Sequence, residues 1–257
     1  MKRGIALGIS AIALLAPISG CSGTHDASAT GLGGGAAAAS PTLSASPKPA
    51  ELLATAVTKL SGQNLEYTID GDDGHVLTGS FDARTGGNLL TGDVDGSKME
   101  IIALGNDIYL GGLAPGGMYY HAQALKFKDN GMGVLLLVDP LCGQKFLSNA
   151  ANVKQDQPGR FSGTLDLTKV TVAGTAKRLA DHYAKAAGAT AVALPFTATT
   201  DASGAIATVT MTLPKAEVSH KDLKYHLKIT EVGGAVTVAA PPKNKVTEAP
   251  AAIYNGP

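Results

Sequence analysis

An α+β domain organised around an antiparallel sheet is the fold class predicted by this 257-residue chain. Three observations predict it. Several runs alternate apolar and polar residues with a period of two, turn signals of the Asp-Gly type separate the runs, and three stretches of helical character interrupt them. A period of two marks a strand with one covered and one wet face. Closely spaced tight turns make sequence neighbours pair antiparallel.

The first segment is neither strand nor helix of that domain. Lys2 and Arg3 precede an almost wholly apolar run from Ile5 to Ala16, and small residues then lead to Cys21. This is the order of a secretory signal, and its apolar part is shorter than the roughly 20 residues that a membrane span needs. Ile18-Ser19-Gly20-Cys21 resembles the bacterial lipobox. That likeness implies cleavage before Cys21 and acylation of its sulfur. Each buried methylene contributes about 0.8 kcal/mol, so one chain holds marginally and two or three hold stably. The expected location is the outer face of a cell membrane, held by the lipidated first mature residue. Loss of Lys2 and Arg3 with the leader turns 21 basic against 21 acidic residues into 19 against 21. Such a chain has no electrostatic footprint for nucleic acid.

Ser22 to Ala50 is made of Gly, Ala, Ser, Thr and Pro with almost no large apolar side chain. It cannot bury enough surface to offset its chain entropy and reads as a tether. Gly31-Leu32-Gly33-Gly34-Gly35-Ala36 matches a dinucleotide fingerprint only nominally, because no strand precedes it and no helix follows. With Cys21 modified, Cys142 has no partner. Without a nearby His or Arg to lower its pKa, it reads as a buried small hydrophobe.

The domain elements follow in order. "ELLATAVTKL" places Leu52, Leu53, Ala56, Val57 and Leu60 on one helical face. Leu65, Tyr67 and Ile69 alternate with Glu66, Thr68 and Asp70, and Leu77 and Phe81 alternate within "HVLTGSFD". "KMEIIALG" and "NDIYLGG" are apolar on both faces, which predicts a part of the sheet covered on both sides. Val134 to Val138 form an aliphatic run with no polar face, predicting a helix that is buried all round or faces something other than water; Asp139-Pro140 ends it. Phe161, Leu165 and Leu167 alternate again. "TAKRLADHYAKAA" has Ala176, Leu179, Ala180, Tyr183 and Ala187 on one face and Lys177, Arg178, Asp181 and Lys185 opposite. Two further strands place Ala207, Val209, Met211 and Leu213, then Leu223, Tyr225, Leu227 and Ile229, on their apolar faces. Turn signals stand at Asp70 to Gly74, Gly86-Gly87-Asn88, Asp95-Gly96, Gly105-Asn106-Asp107 and Ser203-Gly204. Asp70-x-Asp72 and Asp93-x-Asp95 echo the opening of a calcium loop without its later ligands, so they read as hairpins. The closing "PPKNKVTEAPAAIYNGP" reads as a frayed tail.

No catalytic constellation is present: no G-x-S-x-G, Walker loop, H-E-x-x-H or Cys-x-x-Cys occurs, and the six histidines are scattered. His226 falls on the polar face of its strand, and Asp181 and His182, adjacent on a helix, point in different directions. The chain lacks Trp, which argues against stacking platforms for sugars or bases. The reading is a binding protein and not an enzyme, with no cofactor and no metal. An apolar sheet face covered by helices suits an apolar ligand; the alternative is a solidly packed core that presents a surface.

The order of these parts resembles the LppX and LprAFG group of actinobacterial lipoproteins. The likeness spans Glu51 to Pro242 and runs through "LLATAVTKLSGQNLEYTI", "LGNDIYL", "GGMYYHAQALKF", the apolar run ending in Asp139-Pro140, "RFSGTLDLTKV" and "PFTATTDASGAIATVTMTLP". Met118-Tyr119-Tyr120 stand where many members carry a tryptophan. The resemblance implies a LolA/LolB-like fold, a strongly curved antiparallel half-barrel with helices across its concave face. It implies a cavity for the acyl chains of a lipid or lipoglycan, carried or transferred within the cell envelope, with an envelope transporter as partner class. On that reading residues 1–20 are the lipoprotein signal peptide, 21–50 the lipidated cysteine and tether, 51–242 the lipid-binding half-barrel, and 243–257 a disordered tail. The cavity lining expected from the apolar faces is Val134, Leu135, Leu137, Val138, Phe146, Leu179, Tyr183, Met211, Leu213, Tyr225 and Leu227.

Overall fold

A computed structural model of the chain describes residues 46–70, 76–94, 96–127, 146–171, 175–213 and 222–255. Its strands are β1 (Leu65–Asp70), β2 (Val76–Asp82), β3 (Gly87–Val94), β4 (Ser97–Leu104), β5 (Asp107–Gly111), β6 (Tyr119–Gln123), β7 (Ala150–Gln157), β8 (Arg160–Leu165), β9 (Leu194–Thr200), β10 (Ile206–Leu213), β11 (Leu223–Val232) and β12 (Val246–Glu248). The described α-helices are α1 (Pro49–Thr58), α2 (Thr175–Ala187) and α3 (Ala251–Asn255). All 12 strands belong to one open, curled sheet in the order β12-β6-β5-β4-β3-β2-β1-β11-β10-β9-β8-β7. Two meanders, β1 to β6 and β7 to β11, meet where β1 pairs antiparallel with β11. Only β12 runs parallel to its neighbour, β6.

Turns form at four of the five places the sequence predicts, and the fifth, Asp70 to Gly74, lies outside the described residues beyond Asp70. Gly86, Gly96, Gly105 and Gly204 all take positive φ, a conformation that side chains with a Cβ resist. At the β3–β4 turn the Asp93 carboxylate accepts from the Gly96 N–H at 2.8 Å, which gives that aspartate a hairpin role. At the β2–β3 turn the buried Asp82 accepts from the Arg84 and Thr85 N–H groups at 3.0 and 3.4 Å. Burial alone would raise the pKa of Asp82, but hydrogen bonds from Thr85 and Arg84 together hold it below the usual carboxylate value.

Helix α1 starts two residues before the expected boundary at Glu51. Pro49 suits the first helical position, and the Lys48 N–H donates to Glu51 Oε2 at 3.0 Å, closing the first turn. Leu53, Ala56 and Leu60 are buried, and the helix packs on β7 and on the short 3-10 turn Leu147–Asn149. Lys59 donates to the Ser203 carbonyl in the β9–β10 turn.

The frayed tail is corrected. After β11 the chain runs from Gly234 to Pro242 without helix or strand, with Val238 and Pro241 buried. Asn64 holds its start, donating through Nδ2 to the Gly234 carbonyl at 2.8 Å. β12 then pairs with β6, and Ala249, Ile253 and Tyr254 pack against the core. The domain therefore extends to α3. Proline-rich sequence disfavours helix but suits an extended strap, and the β6 edge has backbone groups that such a strap satisfies.

The strap also answers the prediction of double coverage. Ile101 and Ala103 of β4 are buried on the inner face, while Ile102 between them is 7 % exposed and Val238 of the strap 6 % exposed. Val238 lies over Gly87, next to Leu104. At Gly87 and Leu104 the sheet therefore has side chains packed on its outer side as well as on its inner one.

Candidate functional site

The inner face of the sheet is apolar across its width, because the pairing register aligns apolar positions into ribs. One rib runs Tyr120, Leu110, Ile101, Leu90, Gly79, Tyr67 and Ile229 from β6 to β11. A second runs Leu77, Ile69, Leu227, Val209, Ala198 and Phe161 from β2 to β8. A third joins Tyr225, Met211, Phe196 and Gly163. Glycines admit the large rings on this face. A Cβ on Gly79 would stand 2.1 Å from the Tyr67 ring, and one on Gly163 would stand 2.8 Å from Phe196. Tyr67 thus lies flat over Gly79 and donates its hydroxyl to Asn88 Oδ1, satisfying both buried polar groups.

The helices pack on the same face. Leu53 and Ala56 of α1, Leu60 in the turn after it, and Leu179, Ala180 and Tyr183 of α2 belong to one apolar cluster with the ribs. On the far side of α2, Lys177 and Asp181 form an i,i+4 ion pair. Arg178 departs from its expected place on that polar face. Its guanidinium donates to the Ala124 carbonyl and, at 2.7 Å, to the Phe127 carbonyl, so α2 is tied to the chain leaving β6. The position borders the apolar stripe, and a long arginine stem reaches carbonyls there that a lysine would bind with less geometric fit.

The expected lining residues divide into two groups. Phe146, Leu179, Tyr183, Met211, Leu213, Tyr225 and Leu227 are all at most 3 % exposed and sit in the one cluster. Val134, Leu135, Leu137 and Val138 lie outside the described residues, as do Cys21 and Cys142. Tyr67, Leu90, Ile101, Phe161 and Phe196 share that face and are not among the expected lining residues. Their alternation was visible in part, but which strands adjoin depends on register across the whole sheet.

The outer face carries the polar groups. His226 pairs with Asp70 at 3.1 Å, both about two-fifths exposed, in keeping with a solvated histidine. Tyr119 donates to Glu100 at 2.7 Å, and this bond, with burial and the Glu100 charge, pushes its pKa up to about 12. His121 of β6 lies between Asp107 of β5 at 2.9 Å and Glu248 of β12 at 2.8 Å, stacked on Tyr109. Asp107, His121 and Glu248 are distant in sequence, so periodicity gives no sign of their meeting. Among the described residues no group of three His, Cys, Asp or Glu side chains is placed to hold a metal ion. Among them also, no helix is long and apolar enough to cross a membrane.

No family model matches this chain, and no curated protein matches it.

Proposed function

We propose that this protein is a lipoprotein anchored through Cys21 to the outer face of the cell membrane, which binds acyl chains of a lipid or lipoglycan and carries them within the envelope. The observation that carries the reading is the largely apolar inner face of a curled sheet, broken by the Tyr67–Asn88 pair and packed against by α1 and α2, in a chain whose Ile18 to Cys21 resembles a lipobox. The LolA/LolB-like arrangement and an envelope transporter as partner belong to the same proposal. No catalytic step is assigned.

The anchor is tested by Cys21→Ala, which should abolish incorporation of labelled fatty acid at the amino terminus; retained label overturns the lipobox. The ligand is tested by native mass spectrometry of the full chain from a native-like host, followed by delipidation and titration with a fluorescent fatty acid. Bound lipid and saturable rebinding are expected. Leu135→Asp should lose the lipid while the sheet stays folded, because a carboxylate is costly against an acyl chain. A second reading, an interaction lipoprotein with a solid core, is favoured by the burial of all seven described lining side chains at 3 % exposure or less. Absence of both lipid and fatty-acid binding would select it.

A further inference from the structure

We propose that His121 is a proton-controlled clamp for the C-terminal strap. With N–H groups on both ring nitrogens it holds β12 on the β6 edge; with only one it lets β12 loosen. Two contacts of the ring support this. His121 Nδ1 stands 2.8 Å from Glu248 Oε1, and Nε2 stands 2.9 Å from Asp107 Oδ1. Ionised carboxylates only accept hydrogen bonds, whereas a neutral imidazole has one donor and one acceptor. Both contacts can be bonds together only in the imidazolium. Loss of its proton sets a nitrogen lone pair against a carboxylate oxygen on one side.

The charges that act on the ring come from Glu248 of β12 and Asp107 of β5, and Tyr109 of β5 stacks on it at 5.2 Å. Hydrogen bonding to Glu248, then to Asp107, raises the imidazole pKa above its ordinary 6.5, against the opposing effect of burial. A raised pKa in the folded state means stabilisation that is full below 6.5 and is lost as pH rises through the folded value. The contact that gives way is the one to Glu248. Its side chain is 79 % exposed against 48 % for Asp107, so water replaces the lost bond most readily there. β12 is also only 3 residues long. The neighbouring Ala249 N–H donates to the His121 carbonyl at 2.8 Å and would loosen with it. Opening uncovers the backbone of Tyr119 to His121, which β12 pairs.

Hydrogen exchange of the full chain tests the clamp. Protection of residues 243–250, corrected for intrinsic exchange, should fall about tenfold relative to β1 and β11 between about pH 5.5 and 9, the loss of one charge-assisted hydrogen bond. In His121→Gln the strap should be weakly protected at every pH, and in Glu248→Gln the pH slope should flatten. If His121→Gln fails to fold, Glu248→Gln carries the test at an exposed side chain. Constant protection in the wild type, or an unchanged slope in Glu248→Gln, overturns the proposal.

Discussion

The two meanders face the same structural problem, an apolar inner face and an open sheet edge, and they solve it differently. The first, β1 to β6, carries the strap residue Val238 on its outer side at Gly87 of β3 and Leu104 of β4, and its edge strand is paired with β12. The second, β7 to β11, has no partner on its edge strand β7 among the described residues. β7 instead breaks its own regularity. Its pairing with β8 slips between Ala151 and Lys154 and again between Gln155 and Gln157, and Asn152 takes a positive φ of 52°. Its exposed positions carry Lys154, Gln155, Asp156 and Gln157. Bulges and charge make a poor template for a further strand, so this edge is protected without a cover. Here the covered edge is regular and the uncovered one is not.

The largest effect should come from removing the cover. Ending the chain after Pro242 deletes β12 and α3 and strips Ala249, Ile253 and Tyr254 from the core, including the contact of Tyr254 with Phe127 at 5.3 Å. A loss on the order of 4 kcal/mol is expected from the apolar area exposed. The truncated chain should also self-associate through the regular β6 edge. Thermal melting and sedimentation measure both; a monomer of unchanged melting temperature would show that the cover is dispensable.

Next in size is Gly79→Ala. The added methyl meets the ring of the fully buried Tyr67, which is held in place by Asn88, and overpacking of this kind costs about 2–3 kcal/mol. Gly163→Ala in the second meander meets Phe196 and the Ala151 carbonyl at 2.8 Å. The irregular β7 can shift, so a smaller loss, about 1–2 kcal/mol, is expected there. Equal losses in chemical denaturation would remove the claim that one meander yields more than the other.

Acid should act on both halves alike. Asp82 turns the β2–β3 hairpin, and Asp201 turns the β9–β10 hairpin by accepting from the Ser203 hydroxyl at 2.7 Å and the Ala205 N–H at 3.0 Å. Both carboxyls lie below the ordinary 3.8, through hydrogen bonds that outweigh burial. A depressed pKa adds stability that is present above the unfolded value and is lost as pH falls through the folded one. Stability should therefore decline below about pH 4, and Asp82→Asn or Asp201→Asn should each lessen that slope in acid titrations followed by circular dichroism.

The sequence made much of this legible and hid the rest for physical reasons. Strands with one wet face, such as Leu65 to Asp70 and Leu223 to Val232, show their alternation directly. β7, "AANVKQDQ", has almost no apolar face to show, because it is an edge that must not attract a partner. β12 is too short for any period and sits among prolines, so its sequence looks like a tail. Of the candidate site, the apolar faces were readable strand by strand. The ribs were not, since adjacency of β1 with β11 joins residues more than 150 positions apart, as His226 and Asp70 show.

The smallest effect expected is the one that most sharpens the contrast between the edges. Lys154 lies on β7 opposite Ser162, exposed, with the slipped register beside it. Lys154→Thr removes a charge and adds a β-branched side chain, and no buried contact changes. Stability should stay within about 0.5 kcal/mol of the wild type, as for surface positions generally. The charge nevertheless has a role there, because a lysine on an exposed edge opposes pairing with another chain. Concentrated Lys154→Thr should therefore aggregate faster than the wild type while melting at the same temperature. If it does not, the bulges alone protect β7, and the charges on it are incidental.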